Sequence, residues 1–383
     1  MLPLRKRIKL SLLVHTALFI FGLSTISVWA SEPITVALIL AETGIAADDN
    51  RPAINAARLA AEEINASGGL LGRPLRMLLI DNFSTPLGAK RAAEKALAMK
   101  VSAVIGAIWS SHSLPMAQLF QNKKMPMISP TATDPKVTGT GDYIFRACFS
   151  DAFQGRVMAH FAYRDLGFRT ACALINSNEE YSLTLAQFFT DCFTQINGKI
   201  LWRGNYKGTA VDFSTLLTAL KRASPDVVFL PGYSRDSGLI IRQAANMGIK
   251  TTFLGGDGWG NKIHDFAGDA LEGCYYSTHW HPEAPFPENK HLLAKYLKNY
   301  GIRQFTDIRI PLTYDAMMLL ADAVRRAGSI KRAAIRDSLA GTKNFRGATG
   351  TITFDKNGDP MNKEASIIKF SGGFANFVKS VKP

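Results

Sequence analysis

The chain has 383 residues, four cysteines, and 45 Lys and Arg against 31 Asp and Glu, a formal net charge of +14. That length exceeds one compact core and calls for two lobes with a cleft between them. The basic residues lie in short groups such as Lys123-Lys124 and Arg325-Arg326. No basic stripe forms, so no nucleic-acid partner is expected and the charge bears on solubility and surface association.

The first thirty residues read as a targeting segment. Arg5, Lys6, Arg7 and Lys9 precede an apolar stretch at 10–23, and Val28-Trp29-Ala30 offers small residues for cleavage after Ala30. The stretch is shorter than the ~20 residues of a spanning helix, and no cysteine precedes Cys148, so neither a retained anchor nor an acylated N-terminus is expected. The expected product is an exported, soluble protein, periplasmic in a two-membrane bacterium.

From residue 34 the pattern alternates. Strands are predicted at 34–40, 75–80 and 103–106, with Ala-rich helices at 52–64 and 87–99 between them, the βαβαβ rhythm of a parallel sheet covered on both faces. A further helix is predicted at 114–122. The rhythm restarts after Asp151 with helix 152–166, strand 171–175, helix 183–196, strand 200–206, helix 213–221 and strand 227–230. Two successive doubly wound units of similar size indicate two α/β lobes, each a parallel sheet. The tail departs from this rhythm: helices at 292–300, 311–327 and 331–339 lead to strands at 350–354 and 365–370, joined by a turn-rich loop around Asn357-Gly358 as an antiparallel pair. A chain built in this order crosses between lobes several times, and multiple crossovers make a hinge.

Cys148, Cys172, Cys192 and Cys274 show no C-x-x-C spacing, so neither a zinc site nor a redox motif is offered. Cys172 and Cys192 could approach each other across a βα unit and form a disulfide in an oxidising compartment; the alternative is four buried small side chains. Asp257 stands out, bracketed by Gly255-Gly256 and Gly258 just past an apolar strand. Open α/β sheets bind ligands at that end of their strands, where a carboxylate suits a substrate cation.

Catalysis is not expected. Ser110-Ser111-His112 puts a hydroxyl beside an imidazole without a G-x-S-x-G elbow, and Gly256-Asp257-Gly258-Trp259-Gly260 has its last glycine at the wrong spacing for a dinucleotide loop. His279-Trp280-His281 has a spacing open to a metal, but Pro282, Pro285 and Pro287 suggest an extended crossover that edges the cleft. No cofactor is expected.

Five stretches, AAEEINASGGLLGRPLRMLLID (60–81), VIGAIWSSHS (104–113), MISPTATDP (127–135), YIFRACFSDAFQG (143–155) and FLGGDGWGN (253–261), have an order and spacing that resembles the branched-chain amino acid-binding family of ABC-transporter substrate-binding proteins, across essentially the whole mature chain. The resemblance implies the type I periplasmic binding fold, with a first lobe of residues 31–150 and 281–345 and a second of 151–280 and 346–383. It implies capture of an amino acid between the lobes by domain closure, a monomeric state, and delivery to a membrane permease and its ATPase. Carried over residue by residue, it places the ligand carboxylate on Ser110 and Thr133 with the carbonyl of Thr131, the ammonium on Asp257, and aromatic walls at Tyr181 and Tyr233. Each has a plainer role open to it: Ser110 and Ser111 as helix caps, Thr133 as a turn residue, Tyr181 as a surface ring.

Two positions depart from the family pattern. Asp49 stands where close amino-acid binders carry an aromatic residue, either near the ligand or as a loop acid paired with Arg51, and Trp109 replaces a small residue beside Ser110. The family also includes binders of amides and aromatic acids, and the same clamp serves chemosensory proteins, so the resemblance leaves the ligand and the partner open.

Overall fold

The computed structural model describes residues 32–260, 262–301 and 307–383. The expected leader, its cleavage point after Ala30 and Asn261 lie outside the described residues. No described helix is long and apolar enough to cross a membrane.

The first lobe is built on β1 (Ile34–Leu40), α1 (Ala47–Ala66), β2 (Leu75–Asp81), α2 (Pro86–Ala98), β3 (Ala103–Gly106), α3 (Ser110–Asn122), β4 (Met127–Ser129) and β5 (Ile144–Arg146). Its sheet is fully parallel, in the order β2-β1-β3-β4-β5. Alternation along β1 explains the two covered faces: Val36, Leu38 and Leu40 enter one core while Ala37 and Ile39 enter another.

The second lobe runs through α4 (Asp151–His160), β6 (Thr170–Asn176), α5 (Glu180–Gln195), β7 (Lys199–Tyr206), α6 (Ser214–Ala223), β8 (Val227–Phe229), α7 (Ser234–Asn246), β9 (Thr252–Gly255) and β10 (Tyr275–Thr278). The chain then returns to the first lobe with α8 (Pro287–Tyr300), α9 (Arg309–Ala327), α10 (Arg332–Ala340) and the small hairpin β11 (Phe345–Gly347) and β12 (Gly350–Ile352), before β13 (Ala365–Ser371) and β14 (Phe374–Val381) complete the second sheet. That sheet has the order β14-β13-β10-β9-β8-β6-β7, parallel from β7 to β10 and antiparallel at β13 and β14. Three crossovers therefore connect the lobes, after β5, after β10 and after β12.

Several expectations from the sequence are corrected here. Strand 350–354 does not pair with strand 365–370. Residues 350–352 pair with β11, β13 pairs with β10 and β14, and the two-residue turn of the last hairpin is Gly372-Gly373, both at positive φ. The Asn357-Gly358 loop is instead tied to the first lobe, where the Gly358 carbonyl accepts from the Arg146 N–H and Asp359 pairs with the Arg146 side chain. Ala348, Ile352 and Phe354 are buried in the same core as α1 and α9, so the first lobe extends past the expected boundary at 345. The four cysteines are free and buried. Strand alternation separates Cys172 from Cys192, since Cys172 enters the core on one face of the second sheet and Cys192 the core on the other.

Candidate functional site

The carboxyl ends of the parallel strands in both lobes supply the cleft. Helix α3 starts at Ser110, four residues ahead of the predicted start, and accommodates Pro115 within its second turn. The N–H groups of His112 and Ser113 bond the Trp109 carbonyl, while those of Ser110 and Ser111 lie at the start of the helix, where no intrahelical acceptor exists and the dipole favours an anion. The Ser110 hydroxyl accepts from the Asp134 N–H at 3.3 Å. Thr131 donates its hydroxyl to the Ile108 carbonyl at 2.8 Å, which leaves its carbonyl as the group it can offer. Thr133 is buried, with its hydroxyl toward the Asp151 carboxyl and its carbonyl accepting from the Asp151 N–H.

The second lobe contributes Asp257 from the turn after β9. A Cβ at Gly258 would lie 2.6 Å from the Gly232 carbonyl and 2.9 Å from the Tyr181 ring, and one at Gly256 would lie 2.5 Å from the Tyr181 hydroxyl. Glycine on both sides of Asp257 thus lets the turn close onto Tyr181, whose hydroxyl accepts from the Gly258 N–H at 3.0 Å. Asp257 Oδ2 lies 3.0 Å from His279 Nε2, while Oδ1 is buried without a partner. His279 Nδ1 accepts from the Phe149 N–H, so Nε2 carries the proton and donates to Asp257. Burial holds the His279 imidazole below its usual range against the pull of Asp257. It therefore orients Asp257 as a neutral donor and leaves the charge of Asp257 uncancelled. Asp151 is also fully buried; burial, with Asp257 nearby, pushes its carboxyl up, against the pull of the Thr133 hydroxyl.

Between these halves lies a cavity of about 20 Å³ lined by Ser110, Thr131, Tyr181, Tyr233 and Asp257 together with Ile108, Trp109, Gly258, Ile308 and Arg309. Five of the six expected site residues thus meet on one cavity, and Thr133 sits outside its lining. Tyr181 is a buried wall rather than a surface ring, stacked on Tyr233 at 5.4 Å between centroids. Tyr233 is fixed by Asp236, which accepts its backbone N–H at 3.0 Å and is itself held by the Tyr206 hydroxyl at 2.6 Å.

The sequence reading missed Arg309, His279 as the partner of Asp257, and Asp151. Arg309 contacts both oxygens of Asp307 at 3.0 and 3.1 Å and lies 3.6 Å from Asp49. Burial works against its charge, but Asp307 and Asp49 hold it above its usual range. Asp49 is therefore neither a loop acid nor the partner of Arg51: α1 begins at Ala47 and carries Asp49 to Arg309, while Arg51 pairs with Asp48. The only local signal for Arg309 is the tripeptide Asp307-Ile308-Arg309 ahead of a long apolar helix. Among the described residues, no group of three or more His, Cys, Asp or Glu is arranged to hold a metal ion.

The lobes also touch directly around the cavity. Ser111 donates to Glu179 at 2.8 Å, Thr184 to Asp134 at 3.0 Å, and Lys136 pairs with Glu180 at 3.1 Å. Burial pushes the Glu179 carboxyl up to about 7; the Ser111 hydroxyl pulls the other way, and Asp236 and Glu180 add to the rise. A carboxyl raised in the folded state stabilises it while protonated. Its contribution is full below the ordinary value of 4.5 and is lost as pH rises through about 7. The loss should be on the order of 2–3 kcal/mol. The melting temperature of the parent should accordingly fall more steeply than that of Glu179→Gln between about pH 5 and pH 8. Parallel curves for the two proteins would refute the assignment.

The family model for periplasmic binding proteins matches residues 33–374. The chain belongs to the periplasmic binding protein family. A leucine-, isoleucine-, valine-, threonine- and alanine-binding protein of Pseudomonas aeruginosa is 28% identical over 362 residues, covering 93% of this chain and 95% of its own. Among solved structures, a leucine-binding protein from Thermotoga maritima superposes with a TM-score of 0.87 at 34% identity, over 91% of this chain and 99% of that one. A branched-chain amino acid transporter substrate-binding protein from Streptococcus pneumoniae, in complex with isoleucine, gives 0.85 at 28% identity, over 92% and 100%. These likenesses bear out the type I periplasmic binding fold expected from the sequence.

Proposed function

We propose that this protein is the extracytoplasmic substrate-binding component of an ABC transporter and that it captures a zwitterionic α-amino acid between its lobes. The observation that carries this reading is Asp257. One oxygen is fixed by a neutral His279, and the other is buried without a partner on a cavity whose opposite side is the start of α3 with Ser110. An ammonium satisfies the first pole and a carboxylate the second, with Thr133 and the Thr131 carbonyl as further contacts. The two poles belong to different lobes, so the headgroup itself draws the lobes together, and closure strengthens both contacts by excluding water. The names of the relatives, and the isoleucine held by one of them, support an amino acid as the ligand class.

The closed form is then presented to a membrane permease and its ATPase. Cleavage after Ala30 releases the mature chain, which acts as a monomer. Thermal denaturation of the ligand-stripped mature chain, screened against the amino acids, small amides and aromatic acids, tests the reading. An amino acid at ~100 times its dissociation constant adds about 2.7 kcal/mol and raises the melting temperature. Stabilisation only by ligands lacking an α-amino group would overturn the headgroup assignment.

A further inference from the structure

Trp109 occupies the cleft where the resemblance leads one to expect a small residue, and the structure gives it a definite task. It follows β3 in the first lobe, whereas Tyr233 follows β8 in the second. Their rings stack face to face across the cleft, 4.2 Å between centroids and 12° from parallel. On one side of this pair lies the ligand cavity, of about 20 Å³. On the other lies an open space of about 530 Å³ at whose walls stand Asn176, Glu179, Lys207, Arg235 and Lys262. Trp109 and Tyr233 line both spaces.

We propose that the Trp109–Tyr233 stack is the partition that limits the size of the ligand side chain, and that Trp109 is the residue that sets this limit. The inference rests on the amino-acid reading above and narrows it to amino acids with short, uncharged side chains. Two observations carry the narrowing. The space left on the inner side of the partition is only about 20 Å³, far below the ~300–1,000 Å³ usual for small-molecule sites. Among the described residues the single cation on the cavity lining, Arg309, is already matched by two carboxylates, Asp307 and Asp49, so an acidic side chain gains nothing there. The apolar walls Ile108 and Ile308 and the face of Trp109 suit an aliphatic group. The charged groups able to meet a longer polar chain, Lys207, Arg235 and Glu179, all stand behind the partition.

The stack has one ring on each lobe, so it forms only as the lobes close. A ligand too long for the inner cavity keeps the rings apart and holds the clamp open, which makes the partition a filter on closure as well as on fit. Shortening Trp109 joins the two spaces and lifts both restrictions.

The test is titration calorimetry on the mature parent, Trp109→Phe and Trp109→Gly, with alanine, valine, leucine, phenylalanine, tryptophan, arginine and glutamate, and in parallel with acetamide and benzoate. The parent should bind the aliphatic amino acids at least 100-fold more tightly than phenylalanine, tryptophan or arginine. In Trp109→Gly the aliphatic ligands should weaken about 3- to 10-fold, from loss of the stacked pair, and the large ligands should gain 10-fold or more. Trp109→Phe, which keeps a ring in place, should fall between. Melting curves confirm that each variant folds, and if Trp109→Gly does not, the graded shift in Trp109→Phe decides. An unchanged ranking of small against large ligands in both variants would overturn the proposal. If the parent binds only acetamide or benzoate, the amino-acid reading fails, while the change in size ranking within that ligand class still decides the partition. A parent that binds none of them overturns both.

Discussion

Asp257→Ala should weaken binding of the preferred amino acid by about 2–5 kcal/mol, a loss of roughly 30- to 4,000-fold. Among the described residues Asp257 is the one carboxylate on the cavity lining, and its free oxygen faces no donor. Removing it leaves an ammonium desolvated in a closed cleft without a counter-charge. It also strips the buried His279 of its hydrogen-bond acceptor. Ser110→Ala should weaken binding less, by roughly 1.5–3 kcal/mol, because the N–H groups at the start of α3 still face the carboxylate. Asp257→Asn separates charge from hydrogen bonding, since the amide oxygen can still accept from His279 while the charge is gone, and its affinity should stay near that of Asp257→Ala. Calorimetric titration of the three variants decides the matter. Parent-like affinity in Asp257→Ala, or a larger loss in Ser110→Ala than in Asp257→Ala, would contradict the assignment.

Arg146→Met should destabilise the fold by about 3 kcal/mol, toward the lower end of the ~3–5 kcal/mol that follows from breaking a buried ion pair, because the surviving partner Asp359 keeps a quarter of its side chain exposed. Arg146 closes β5 and has no exposed surface. Its Nε donates to Asp359 at 2.6 Å, its Nη1 to the Ala132 carbonyl at 2.8 Å, and its Nη2 to the Thr138 hydroxyl. These bonds fasten the third crossover, around Asp355–Asp359, to the first lobe. Methionine fills part of the volume but takes the guanidinium from the Ala132 carbonyl and leaves the Asp359 carboxylate with only the Thr138 hydroxyl and no counter-charge. A lower urea midpoint and a lower melting temperature are the expected readouts. Changing Asp359 to leucine in the Arg146→Met background should recover part of the loss, since it removes the unpaired charge that Arg146→Met leaves behind. Stability equal to that of the parent in Arg146→Met would show that the crossover is held elsewhere.

Asp257 and Ser110, the residues proposed to hold the headgroup, are legible in the sequence because their settings are local. Asp257 lies between glycines at the end of an apolar strand, and Ser110 at the start of a helix, and both features are set within a few residues. The cues that mislead are equally local. Asn357-Gly358 is a strong turn signal, but nothing near it in sequence says whether the flanking strands pair with each other. Arg146, more than two hundred residues earlier, captures the loop, and the two strands go to different lobes. The Gly372-Gly373 turn is a comparable signal, and it is the one that forms the hairpin with β14. Pro52 and Pro115 suggest helix starts at or near them, and both helices instead begin earlier and include them.

Hydrophobic period and turn chemistry act over neighbouring residues, and they suffice to set the alternation of strands and helices, the division into two doubly wound lobes, and the residue types brought to the cleft. The pairings that cross the cleft or the chain have no such local origin: His279 with Asp257, Arg309 with Asp49, Trp109 on Tyr233, and Cys172 apart from Cys192. Each depends on how two sheets and their helices place side chains 20 to 260 positions apart, and a buried charge or ring takes whichever partner that packing brings within reach.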